Sequence, residues 1–175
     1  PESQRTQTLG EQFDPDLVLQ RQGNPEKGNA IFFGEGGTQC KSCHRIRGAG
    51  GDFGPDLSSI GTKYTRRQLL DTIANPSLRV EPPFVTQVIT THRGQVYSGL
   101  LVGEDNEQIL LKVYRADQVE IVPFRLDQLE ERVSQPTSLM PERLLRDMTP
   151  QQAADLVDFL ASLRQPNADL ETRTD

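Results

Sequence analysis

The chain has 175 residues, a formal net charge of −6, 34% hydrophobic residues and no Trp. The acidic balance argues against nucleic acid, which wants a basic face, and no apolar run reaches the length of a membrane span. The length suits one domain with room for an insertion, and so lean a core would gain from a bound apolar group.

Residues 1–22 are polar, lack sustained periodicity and read as a tail or linker. Asn24-Pro25 then opens a helix, an N-cap residue followed by Pro at the first helical position. The spacing predicts a helix from Pro25 to about Phe33, ended by Gly34 and the Gly36-Gly37 pair. Gly28 and Phe32 lie four apart on one face, a pattern that suits close packing against another helix.

Cys40-Lys41-Ser42-Cys43-His44 comes next and uses the only two cysteines of the chain. C-x-x-C-H is the attachment signature for c-type haem. The two thiols can add across the two vinyl groups of one porphyrin, and the imidazole beside the second thiol reaches the iron from the same side. A zinc site would need a second ligand pair, and His92 is the only other His. A thioredoxin-like site would want a βαβ pattern around the thiols, whereas here the strand-like segments come late and in a block.

A glycine-rich loop, 48–54, follows and Pro55-Asp56-Leu57 closes it. Thr65 caps a helix of Arg66 to Ala74, with Leu69, Leu70 and Ile73 on one face, and Asn75-Pro76 stops it. Lys63 and Tyr64 are candidate partners for haem propionates, whereas Arg66 and Arg67 read as a solvated helix start. From Phe84 the texture turns β-branched. Phe84 to Thr91, Gln95 to Val102, Gln108 to Tyr114 and Gln118 to Phe124 alternate with turns at Arg93-Gly94, Glu104 to Glu107 and Arg115 to Asp117. This predicts an antiparallel meander of about four strands. Leu126 to Val133 reads as a short helix and Gln135 to Pro141 as a loop. Thr149-Pro150 opens a final amphipathic helix with Ala154, Leu156, Val157, Phe159, Leu160 and Leu163 to bury. Residues 168–175 form a polar tail.

An iron held by His44 has a sixth position, and Met140, Met148, His92, a lysine or nothing could fill it. Met148 precedes the Thr149 cap, where an apolar residue staples onto the first helical turn at Ala153. His92 sits at a hairpin tip and reads as an exposed turn residue. Met140 lies in the loop Thr137-Ser138-Leu139-Met140-Pro141, restrained by the following Pro. It is the favoured ligand, since Met/His ligation is the usual electron-transfer arrangement.

These pieces together resemble the class I c-type cytochromes. The likeness rests on the Gly28-x-x-x-Phe32 helix, Cys40 to His44, Gly54-Pro55-Asp56-Leu57, the Met140 loop and the closing helix with Leu156 and Phe159. Ile60-Gly61-Thr62, Asn75-Pro76-Ser77, Ser138 to Pro141 and Ala154 to Val157 bring it nearest to a subgroup of haem-binding domains in which strands separate the middle helix from the methionine loop. The resemblance implies a mainly α, class I cytochrome c fold with an inserted antiparallel sheet (α+β overall). Residues 23–167 would form the single domain and 83–128 the inserted β meander. It implies that the first and last helices cross, with Gly28 and Phe32 meeting Leu156 and Phe159, and that the Pro55 carbonyl accepts the His44 Nδ1 proton. Pro55, Leu57 and Tyr64 then join Cys40, Cys43, His44 and Met140 as expected haem contacts, with His44 and Met140 on the iron.

The implied function is electron transfer by one covalently attached haem c, with a redox protein or a parent dehydrogenase as partner, since many relatives are appended to dehydrogenase-like chains. Two rivals are a sensor of small ligands and a peroxide-binding module, each with an open sixth position. A further role, compatible with electron transfer, has the β block docking the domain onto a parent chain. Haem attachment outside the cytoplasm implies export, with the periplasm as the expected compartment and either a removed signal segment or a parent chain that carried one.

Overall fold

Local capping chemistry sets the helices. In the computed structural model, which describes residues 7–35, 38–116 and 118–164, the Asn24 side chain accepts from the Glu26 and Lys27 N–H groups and starts α2 (Pro25–Phe33). Thr65 and Gln68 form a reciprocal capping box at the start of α4 (Arg66–Ala74), and Thr149 and Gln152 form another at α5 (Pro150–Ser162). Each box satisfies donors that the first helical turn leaves unpaired. Two single-turn helices, α1 (Asp16–Leu19) and α3 (Ile60–Lys63), complete the helical part. Gly36, Gly37, Asp117 and the 168–175 tail lie outside the described residues.

The helices share one core. Phe32, Leu69, Leu70, Leu145, Leu156, Val157 and Leu160 are buried in a single cluster. Gly28 lets α2 and α5 cross closely: a Cβ there would stand 2.0 Å from the Asp155 carbonyl oxygen and 2.6 Å from Phe159 Cβ. Phe32 and Phe159 lie with ring centroids 5.9 Å apart. The buried Asp155 carboxylate accepts the Asn24 N–H at 2.7 Å, so the crossing is also fixed by a charge-assisted hydrogen bond.

Residues 7–22 do not behave as the tail that their composition suggests. Val18 of α1 is fully buried and Leu9 nearly so, both within the helical core. The Leu9 and Gly10 N–H groups donate to the carbonyls of Met148 and Arg146. Arg66 is not a solvated helix start either. Its guanidinium pairs with Asp158 and donates to the carbonyls of Leu19 at 3.1 Å and Arg21 at 2.8 Å, tying the N-terminal segment to α5. Arg67 does stand exposed, paired with Asp71 one turn on.

A short hairpin, β1 (Arg45–Ile46) with β2 (Ala49–Gly50), follows the cysteine motif. The late block folds into β3 (Thr86–Thr91), β4 (Val96–Glu104), β5 (Gln108–Arg115), β6 (Gln118–Arg125) and β7 (Leu129–Gln135). The sheet therefore has five antiparallel strands in the order β6-β5-β4-β3-β7 rather than four. The extra strand is the segment read as a short helix: only a turn of 3-10 helix, Leu126–Gln128, precedes it. Register shifts lie between Thr90 and Thr91 and between Leu101 and Gly103, and such irregularities sharpen the twist of a sheet. One face buries Ile89, Ile109, Leu111, Val113 and Phe124 in a core of its own, flanked by Tyr97, Leu101, Val122 and Leu129.

Candidate haem site

Cys40 opens a single 3-10 turn, Cys40–Ser42, and Cys43 closes it. The His44 N–H donates to the Cys40 carbonyl at 2.9 Å. Both thiols are free and half-buried. Burial pushes the Cys40 thiol up from its ordinary value, and burial together with the neighbouring Cys40 does the same at Cys43. Both therefore stay protonated at neutral pH, unlike the activated thiolate of a disulfide-exchange site. Among the described residues no group of three or more His, Cys, Asp or Glu side chains is gathered to hold a metal ion by itself.

The glycine-rich loop folds back on the motif. The Gly51 N–H donates to the Lys41 carbonyl and the Gly54 N–H to the Cys43 carbonyl, each at 2.7 Å. Gly54 lies flat against the His44 ring, where a Cβ would stand 2.6 Å from Cε1 and 2.9 Å from Nδ1. One residue on, the Pro55 carbonyl lies 2.9 Å from His44 Nδ1. A carbonyl can only accept, so the proton sits on Nδ1 and Nε2 presents its lone pair. Burial pulls the His44 imidazole below its ordinary value, against the opposing effect of the Pro55 bond. The ring is thus neutral at neutral pH, the form that binds a metal.

The remaining expected contacts border the helical core. Cys40, Leu57, Ile60, Tyr64 and Met140 all pack against it while staying partly uncovered, the surface a flat apolar porphyrin needs. The donor set and these partly uncovered apolar side chains fit haem c. Two serines restrain the Met140 loop: the Met140 N–H donates to Ser138 Oγ and the Ser138 N–H to Ser77 Oγ, both at 3.1 Å.

Other candidates fall elsewhere. Met148 is buried in the core cluster that also holds Ala153, as a helix staple requires. His92 is exposed at the β3–β4 turn, its N–H donating to the Gln128 carbonyl. Lys63 pairs with Glu81, and the Tyr64 hydroxyl donates to the same carboxylate at 3.3 Å. The sequence reading did not single out Glu81. Its position five residues after the Asn75-Pro76 stop gives no local sign that it turns back toward α3.

Residues 25–98 match the family model described as Cytochrome c, which supports a c-type cytochrome. The match runs from α2 into β4 and ends before the Met140 loop and α5. No curated protein matches the chain. The matched family binds covalently attached haem c, the group that the Cys40–Cys43–His44 geometry suits, and the cofactor of this chain is haem c with its iron.

Proposed function

We propose that this chain is a one-electron carrier of the class I cytochrome c type, in which Cys40 and Cys43 would join haem c and His44 and Met140 would hold its iron. The observation that carries the reading is the bond between His44 Nδ1 and the Pro55 carbonyl at 2.9 Å, which turns Nε2 outward as the donor beside two free thiols. The restraint of the Met140 loop by Ser138 and Ser77 supports its thioether as the second donor. When bound, haem c supplies an iron that gains and loses one electron.

The chain's own residues then do three things. His44 and Met140 would offer the iron one imidazole and one thioether donor from restrained positions, so that little in the chain would need to reorganise. The partly buried side chains of Leu57, Ile60 and Tyr64 would pack on the porphyrin and lower the local dielectric. The rigid Pro55 bond fixes the plane and basicity of the imidazole.

The partner is a redox protein that docks transiently at the haem edge, and a dehydrogenase, separate or on the same polypeptide, suits the role. The net charge of −6 is compatible with a basic docking face on it. Covalent haem attachment supports a location outside the cytoplasm, in the periplasm or its equivalent. Among the described residues no helix is long and apolar enough to cross a membrane.

Spectroscopy on the haem-loaded protein tests the ligand pair. The ferric protein is expected to show the sulfur-to-iron charge-transfer band in the near infrared, and Met140→Ala to abolish it. The ferrous variant should then bind carbon monoxide. Ready binding of carbon monoxide by the unaltered protein would overturn the carrier reading in favour of an open-site module.

A further inference from the structure

The five-stranded sheet carries none of the haem-attachment residues, yet one of its faces grips the loop behind His44. Lys112 of β5 reaches sixty residues back: its Nζ donates to the Asp52 carbonyl at 2.8 Å and stands 3.4 Å from the Asp52 carboxylate. Its side chain is only 17% exposed, a low value for lysine, while the Asp52 side chain that it meets stays 53% exposed. Tyr114, two residues on and so on the same face of the strand, packs on Phe53 with ring centroids 5.7 Å apart. Phe53 itself is buried. The other side of this loop is fastened to the motif through the Gly51 and Gly54 N–H groups. The segment from Asp52 to Phe53 is therefore held between the sheet and the cysteine turn, and the next two residues are the glycine against the His44 ring and the carbonyl on Nδ1.

We propose that Lys112 and Tyr114 are positioning residues for His44, pressing the Asp52–Phe53 loop onto the haem motif so that the Pro55 carbonyl stays within hydrogen-bond distance of the imidazole. The inserted sheet is then a brace for the proximal ligand. This rests on His44 as the iron donor. A strong bond at Nδ1 makes the imidazole a richer electron donor and favours the oxidised metal. Releasing the brace weakens that bond and raises the reduction potential. Removing a nearby positive charge has the opposite sign, because a cation favours the reduced state. The direction of the shift thus separates the brace from a bare electrostatic effect of Lys112.

The test uses the full haem-loaded chain with Tyr114→Leu, Lys112→Met and Lys112→Arg, read by redox titration and by amide hydrogen exchange. Tyr114→Leu changes no charge and should raise the midpoint potential. Lys112→Met should do so as well, and Lys112→Arg, which can still donate to the Asp52 carbonyl, should return it toward the starting value. The Gly54 amide, bonded to Cys43, should exchange faster in the first two variants. Ile109→Val trims the sheet's own core without touching the loop and should leave both readouts in place. A lowered potential in Lys112→Met together with an unmoved one in Tyr114→Leu would reduce Lys112 to a distant charge. Equal effects from Ile109→Val would reduce the brace to general sheet stability. An unaltered Gly54 exchange rate in both variants sinks the brace even if the protein transfers electrons normally. Faster exchange in a protein with no reversible potential would instead sink the carrier reading and leave the brace standing.

Discussion

Gly28→Ala should lower the unfolding free energy by on the order of 2–3 kcal/mol, read as a fall in the urea midpoint at unchanged slope. Helix propensity alone predicts the reverse, since Ala in a helix interior is better than Gly by about 1 kcal/mol. The crossing decides the sign. The added methyl would enter 2.0 Å from a backbone oxygen of α5 and 2.6 Å from Phe159 Cβ. Neither can retreat cheaply. The oxygen belongs to Asp155, whose carboxylate is bonded to the Asn24 N–H at the start of α2, and Phe159 packs on Phe32. Overpacking of this kind moves whole helices rather than one rotamer. A neutral or stabilising outcome would mean that α2 and α5 do not approach as described.

Gly54→Ala is expected to act on the proximal ligand. Its Cβ would meet three atoms of the His44 ring within 3.2 Å. The ring is tethered at Nδ1 and the Gly54 N–H is bonded to Cys43, so one of these bonds must lengthen. The cost should be about 1–3 kcal/mol in the urea midpoint. Loss of the downfield Nδ1 proton resonance of His44 would report the broken bond to Pro55. Retention of that resonance together with full stability would contradict the close stacking of loop on ring.

The sequence disclosed what local chemistry decides. Asn24-Pro25, Thr65 and Thr149-Pro150 start helices through caps that need only neighbouring residues, and α2 and α4 begin and end where those residues place them. The first four strands of the sheet lie between turn residues and follow the same logic. Strand β7 does not: Leu129-Glu130-Glu131-Arg132 has the composition of a helix, and the segment is extended because β3 offers it a partner. Its charges suit the edge position that it takes. In the N-terminal segment Val18 sits in a helix too short to show a period. Arg66 binds backbone carbonyls, which no side-chain pattern announces. At the site the cysteine turn and His44 were legible as a motif, and the Pro55 bond as a resemblance. The contacts of Lys112 and Tyr114 with the loop behind His44 were not, because they join residues some sixty positions apart.

Among the described residues the two hydrophobic cores, one among the helices and one inside the sheet, share no residue. Cooperativity needs shared burial, so the two halves are expected to unfold as separate units coupled through contacts such as Lys112–Asp52 and Thr86–Thr137. A ligand that binds one native unit raises the melting point of that unit by mass action. The apoprotein should therefore melt in two calorimetric steps, and haem attachment should move the helical step upward while the sheet step stays nearly fixed. Such a division would let the helical half open to receive its cofactor before the sheet closes over the loop behind the histidine.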